Sequence, residues 1–266
     1  DIRGQVIRLG NGPDAVLARG VEATRDTMLA PLISRLRRGL AAEARASTLT
    51  AELSLRRTGK QTSVVIPAGS LRGSSGATLL ALSRLQFAAG REGASRFSGN
   101  FATGGQGLPR IAGRIDRRPG GAVQLRLNMA EYAAGEARLA LPDLVLTYRA
   151  DGAIGFAGQV LATGAFPGGS AEGLVLPIVG SWSSSRGLAL WNECVQVRFD
   201  GLRVSTLDLD RRSLTLCPQR GTAIVRYDDR GLRIAAGVPA VEVSGRLGDT
   251  PVALRSGPVG LAYPGV

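Results

Sequence analysis

Cys194 and Cys217 are the only two thiols in the 266-residue chain. They bracket "ECVQVRFDGLRVSTLDLDRRSLTLCP", Glu193 to Pro218, where apolar and polar residues alternate almost strictly. A thiol pair can be a redox centre, part of a metal site or a staple. One pair cannot complete a four-cysteine zinc site, and no histidine is present to help. The spacing is not C-x-x-C, which sets aside a thioredoxin-like redox motif. Each cysteine adjoins strand-like sequence: Cys194 opens "VQVRF" and Cys217 closes "SLTL". A path up one strand, across Asp200–Leu202 and back would bring the two together. A structural disulfide is therefore expected, and with it an oxidising compartment such as the periplasm. Two buried free thiols are the alternative.

Other residue patterns point to less chemistry. Without histidine, Ser–His and Cys–His hydrolysis and imidazole metal ligation are excluded. Paired carboxylates occur as Asp208/Asp210 and Asp228/Asp229. Asp208 and Asp210 fall on one side of a strand, with Leu207 and Leu209 on the other, and Arg211 and Arg212 follow at once. A charge-balanced solvent edge explains them better than acid–base catalysis, which needs environments that split two pKa values. "GNGPDA", Gly10 to Ala15, has the G-x-G-x-x-A form, but the short "VLARGVEAT" after it contains Gly20, so a turn is expected. "LRGSSGATLL", Leu71 to Leu80, lacks the G-K-[ST] ending of a phosphate loop and reads as a connection between strands. With Trp182 and Trp191 as the only tryptophans, a polysaccharide-cleaving enzyme would be short of aromatic subsites. No catalytic residue, metal or cofactor is expected, and the chain is read as not an enzyme.

The net charge is +12, from 33 basic and 21 acidic residues, and Lys60 is the lone lysine. A basic balance can mark a nucleic-acid partner. Here the arginines are scattered singly or in pairs such as Arg37-Arg38, Arg56-Arg57, Arg117-Arg118 and Arg211-Arg212, with no interleaved aromatic platform. No nucleic acid is expected.

The elements that must position these residues are mostly strands. Hydrophobic residues make up 44%, enough for a core, but aromatics are only 5%, so aliphatic side chains must fill it. Ile2 to Leu9 and Ala15 to Ala23 read as two short strands. "TMLAPLISRLRRGLAAEARA", Thr27 to Ala46, is the one clear helix, with Leu29, Leu32, Ile33, Leu36 and Leu40 on one face and Arg35, Arg37, Arg38 and Glu43 away from it. Pro31 is tolerable in the first turn. Such a helix covers the face or end of a sheet, or lies on an anionic membrane. After about Thr48 the chain reads as strands and turns, with hairpin signals at Asp151-Gly152 and near Asp229 to Gly231. The absence of βαβ alternation argues for antiparallel meanders. A faint repeat begins at Ile111, Ile178 and Val243. The organisation expected is 1–47, strands plus the amphipathic helix, and 48–266, one continuous β-rich region. The chain opens on Asp1 and has no apolar run long enough to span a membrane; it is expected to be a piece of a longer protein.

"PLISRLRRGL", followed by "LTAELSLRR" and "SLRGSSGATLLALSRLQF", together with the "LTLCPQRG" close of the cysteine segment, resembles the YdbH-like members of the AsmA-like periplasmic family. That family is related to TamB and YhdP and was formerly labelled a dicarboxylate transport domain. The resemblance implies a mainly β protein: an elongated, twisted antiparallel β-groove of repeating meanders with one amphipathic helix near the N-terminus. It implies phospholipid as cargo, its acyl chains carried along an apolar groove between the inner and outer membranes. It implies location in the periplasm and anchoring to the inner membrane through a segment absent from this chain. It also implies membrane contact through the parent protein and an outer-membrane lipoprotein or other envelope partner.

A groove for acyl chains needs strands that alternate apolar-in, polar-out, with no unpaired charge inside. The wall residues that alternation selects are Leu125, Leu127 and Met129, then Leu139, Leu141, Leu144 and Leu146, then Ile154 and Phe156. Further on come Val195, Val197, Phe199, Leu214 and Leu216. Any closed β-core gives the same pattern, so a β-rich scaffold without a lipid ligand is the alternative.

Overall fold

Alternation at period two does produce the fold: the chain is mainly β, with antiparallel ladders throughout the described pairings. The computed structural model describes residues 2–7, 12–58, 61–89, 95–117 and 121–263. Arg8 and Leu9, the Gly10-Asn11 opening of the glycine motif, Lys60 and Arg118 lie outside the described residues.

The chain divides into two compact units: residues up to Arg25 with Leu29–Gly135, and Asp26–Met28 with Glu136 onward. The first unit holds β1 (Ile2–Ile7), α1 (Gly12–Ala23), α2 (Leu29–Glu43), β2 (Ser47–Ala51), β3 (Ser54–Thr58), β4 (Gln61–Arg72), β5 (Thr78–Ala89), β6 (Ser95–Thr103), β7 (Ile111–Arg117) and β8 (Val123–Ala134). Its ladder runs β1–β2–β4–β5–β6–β7–β8, and β2 and β3 share one edge of β4.

The second unit holds β9 (Ala137–Tyr148), β10 (Ile154–Phe166), β11 (Gly169–Ser183), β12 (Gly187–Leu190), β13 (Val195–Val204), β14 (Leu207–Pro218), β15 (Val225–Asp228), β16 (Gly231–Val238), β17 (Val241–Leu247), β18 (Thr250–Ser256) and β19 (Val259–Tyr263). β9, β10 and β11 pair in series. The long β11 then carries β12 along one half and β13 along the other. From β12 the ladder continues through β15 and β16 to β19; from β13 it continues through β14 and β17 to β18. Register shifts interrupt β5, β9 and β10, and Arg84 takes φ 52° within the β5 irregularity. Such bulges bend and further twist the strands they interrupt.

Two expectations need correction near the N-terminus. Ala15 to Ala23 is helix, not strand, as part of α1. Pro13 and Asp14 suit a first helical turn, and Leu17, Gly20, Val21 and Thr24 recur at helical spacing on the less exposed side. Gly20, which seemed to speak against a helix, permits close approach: a Cβ there would lie 3.6 Å from Ile33 of α2. Arg37 of α2 donates two hydrogen bonds to the Asp14 carboxylate, at 2.5 and 2.9 Å.

The second correction concerns Glu43. It lies on the buried line of α2 with Leu32 and Gly39, and is 2% exposed. The β4–β5 turn closes over this helix end. The backbone N–H of Ser75 donates to the Glu43 carboxylate at 3.2 Å, and its hydroxyl donates at 2.7 Å. The Ser74 hydroxyl donates to the Ala42 carbonyl at 2.7 Å. A buried carboxylate is tolerable because donors surround it. Glu43→Ala strands the Ser75 donors and is expected to cost about 2 kcal/mol, read as a lower urea midpoint. An unchanged midpoint would mean that this contact does not hold α2 to the sheet. The middle of α2 packs on the end of β8, where Arg35 lies 5.3 Å from the Tyr132 ring centroid and hydrogen-bonds the Ala133 carbonyl.

The cysteines do pair: Cys194 and Cys217 form a disulfide with a Cα–Cα distance of 4.0 Å. The expected turn at Asp200–Leu202 is not there. β13 runs on to Val204 and the chain reverses at Ser205-Thr206, with Ser205 at φ 55°. Asp200–Leu202 instead lies inside an unbroken ladder, whose register holds from Val195 opposite Leu216 to Val204 opposite Leu207. Of the segments beginning at Ile111, Ile178 and Val243, the first opens β7 and the others start inside β11 and β17; each runs into a hairpin, β7–β8, β11–β12 and β17–β18.

Candidate functional site

Residues directly opposite in a ladder share a face, so the register fixes which side each candidate wall residue takes. In the first unit, Leu125, Leu127 and Met129 of β8 stand opposite Ile115, Gly113 and Ile111 of β7. The row continues through Phe101 on β6, Leu82 on β5, Gly69 on β4 and Ala51 on β2. A parallel row links Phe97, Phe87, Val64 and Leu55. The other face carries Asn128, Arg126 and Gln124 with Ala112, Arg114 and Asp116, then Ser98 and Asn100. One sheet thus has an apolar and a polar side across six strands.

The second unit repeats this segregation. Leu144 and Leu146 oppose Gly158 and Phe156, and Leu139 opposes Ala162. Ile154 lies between Tyr148 and Trp182. Leu141 falls in the irregular stretch facing Val160. Val195 and Val197 oppose Leu216 and Leu214, and Phe199 opposes Arg212. These two groups, on β9–β10 and β13–β14, are joined by Leu174, Leu176 and Ile178 on the same face of β11. Met129, Val195 and Phe199 are buried; the other candidate residues are half-buried. Beside the disulfide, a hollow of about 440 Å³ is lined by Cys217, Pro218, Ala236, Val238, Val259 and Leu261.

Two glycines shape the apolar faces. Gly113 stands opposite Phe101 and Gly180 opposite Phe156, and a Cβ added at either would come within 2.6 or 2.8 Å of the ring. The rings lie over the glycines, which lowers their profile and smooths the surface.

Charge is mostly kept to strand ends or paired across strands. At the paired, described positions the first unit's apolar side carries Arg57 and Arg117 near strand ends, and the Val195–Phe199 face carries Arg212 and then, toward the hairpin turn, Asp210 and the Arg203–Asp208 pair. Charges pair across strands: Arg203 with Asp208, and Arg255 with Glu242. The hydrogen bond from Arg255, then its charge, holds the Glu242 carboxyl below its ordinary pKa. Arg211 pairs with Asp200. Asp208 therefore serves a cross-strand ion pair, and Asp228 pairs with Arg233. Among the described residues, no group of three or more potential ligands could hold a metal ion, and no helix is long and apolar enough to cross a membrane.

Sequence alternation missed the β11 bridge because "LVLPIV", Leu174 to Val179, is a continuous apolar run. Val175, Pro177 and Val179 occupy its other face. Only its length and its flanking glycines hinted at a strand apolar on both sides. The first-unit row through β4, β5 and β6 was legible as alternation in "SVVIPAG" and "TLLALSRLQF", but the bulge at Arg84 breaks its period.

Comparison with curated proteins and with solved structures gave no match. The profile of the YdbH-like family, described as "Intermembrane phospholipid transport protein YdbH", matches residues 4–263, nearly the whole chain. The chain therefore belongs to the YdbH-like family of intermembrane phospholipid transport proteins.

Proposed function

We propose that the apolar face of each unit is a wall along which phospholipid acyl chains lie while the lipid passes between the inner and outer membranes through the periplasm. The observation that carries this reading is the exposure of that face. A closed β-core would bury its aliphatic residues. Here Leu55, Phe87 and Trp182, all on the apolar side of their ladders, stay exposed. Each acyl methylene moved from water onto such a surface contributes about 0.8 kcal/mol. A few rows of aliphatic residues then hold a chain without a closed pocket, which suits cargo that must slide.

The test is native mass spectrometry of this chain made in a periplasm, followed by lipid extraction. Phospholipid is expected to co-purify. A protein that emerges empty and takes up no fluorescent phospholipid would instead favour the closed scaffold.

A further inference from the structure

One strand end of the second unit carries an arrangement that holding acyl chains does not require. Three hairpin turns meet there: β9–β10, β11–β12 and β15–β16. On the apolar face, one unbroken cross-strand row runs Tyr148, Ile154, Trp182, Leu188, Tyr227, Leu232. Three of the chain's six Trp and Tyr residues stand in this row. Tyr148 is 52% exposed, Trp182 44% and Tyr227 58%, far more than packed aromatics would be.

Behind the row lies a hollow of about 600 Å³ lined by Arg149, Arg186, Arg226, Arg230 and Arg233. Asp228 and Asp229 are the only acids that line it, and Asp228 is engaged by Arg233. The side chains of Arg149, Arg186, Arg226 and Arg230 make no ion pair or hydrogen bond among the described residues. Arg226 and Arg233 stand directly opposite each other in the ladder, a like-charge pairing that destabilises a sheet. Folding alone gives no reason to gather these cations; an anionic partner does.

We propose that this strand end docks on the surface of a bilayer containing anionic phospholipid. At such a surface, Trp and Tyr rings settle at the level of the headgroups, apolar body inward and polar tip outward. Guanidinium groups grip phosphate through paired N–H donors. The arrangement supplies both, with rings on one side of the sheet and cations at its end. A nucleic-acid surface would interleave the two, so that bases stack between phosphate contacts. Docking here does not depend on whether the apolar faces carry acyl chains.

The experiment is flotation of the whole chain with vesicles of phosphatidylethanolamine and phosphatidylglycerol, against vesicles of phosphatidylcholine alone. Binding is expected to the first, to weaken as salt rises, and to be much weaker on the second. Arg226→Ser with Arg230→Ser, both exposed, is expected to weaken it roughly thirtyfold while co-purified lipid and the unfolding midpoint stay unchanged. As a second readout, vesicles with brominated acyl chains should quench tryptophan fluorescence, and Trp182→Phe should remove that quenching. Equal binding to phosphatidylcholine, or affinity untouched by the arginine changes, overturns the proposal. So does saturable binding of inorganic phosphate that blocks the vesicles, which would identify a pocket for a soluble anion. A single-stranded oligonucleotide bound as tightly as the vesicles would overturn it in favour of nucleic acid.

Discussion

Phe156→Asp is expected to strip co-purified phospholipid from the chain by at least tenfold. The ring stands between Leu146 on β9 and Gly180 on β11, in the middle of the apolar face of the second unit. A carboxylate there must either lose its water beneath an acyl chain or exclude the chain. An ionised group against hydrocarbon costs several kcal/mol, and each 1.4 kcal/mol is a factor of ten in affinity. Leu127→Asp is the matching change in the first unit, opposite Gly113. The control is Ala157→Asp, one residue along β10 from Phe156. Ala157 is exposed and pairs with Val145 and Val179 on the other face. The same charge on the same strand should leave lipid content unchanged. Lipid phosphorus per mole of protein and the thermal midpoint would be measured together. A folded Phe156→Asp protein that retains its lipid removes the acyl-chain reading of this face; equal losses from both substitutions would show that charge, not the face, matters.

Loss of the disulfide is expected to lower stability by about 3 kcal/mol. Cys194 and Cys217 are 23 residues apart, and the chain-entropy gain of closing a loop of that size has this magnitude. The bond sits at the open end of the β13–β14 hairpin, next to the Val195–Leu216 pair, while Ser205-Thr206 closes the other end. Both ends of a two-strand unit are thus pinned. The same strand ends reach β16 through Cys217 and Pro218, so fraying would also disturb the hollow lined by Ala236 and Val238. A Cys194→Ser, Cys217→Ser chain should unfold at a lower urea concentration, with a steeper dependence if its unfolded state is more open. Intact mass of unreduced protein from an oxidising compartment should lack two hydrogens. Two free thiols, or identical unfolding with and without reductant, would rule out the staple.

Much of this architecture was legible before any coordinates. Alternation in "AVQLRLNM" and "VQVRF", the Asp151-Gly152 turn and the lone cysteine pair led directly to β8, β13, the β9–β10 hairpin and the disulfide. Each of these depends on neighbours within a few residues or on a pair with only one possible partner. The family was legible too, since its phrases lie in local sequence. What resisted was whatever depends on distant segments. α1 looked like a strand because a short stretch with a glycine has weak helical propensity, and only packing on Ile33 and the Asp14–Arg37 pair select the helix. Glu43 looked like a surface residue because the serines that satisfy it arrive 32 residues later.

Sequence by itself therefore determined the strand-rich class, the face each alternating residue takes within its own strand, and the chemistry of the cysteines. It does so because side-chain direction along a strand is a local property with a period of two. Tertiary structure alone decided which strands stand side by side. It joined β10 to β13 through β11, left one aliphatic face exposed, and brought Arg149, Arg186, Arg226, Arg230 and Arg233 from three separate hairpins to one end of a sheet. Register is a relation between segments, set by pairing and bulges, and no single strand carries it.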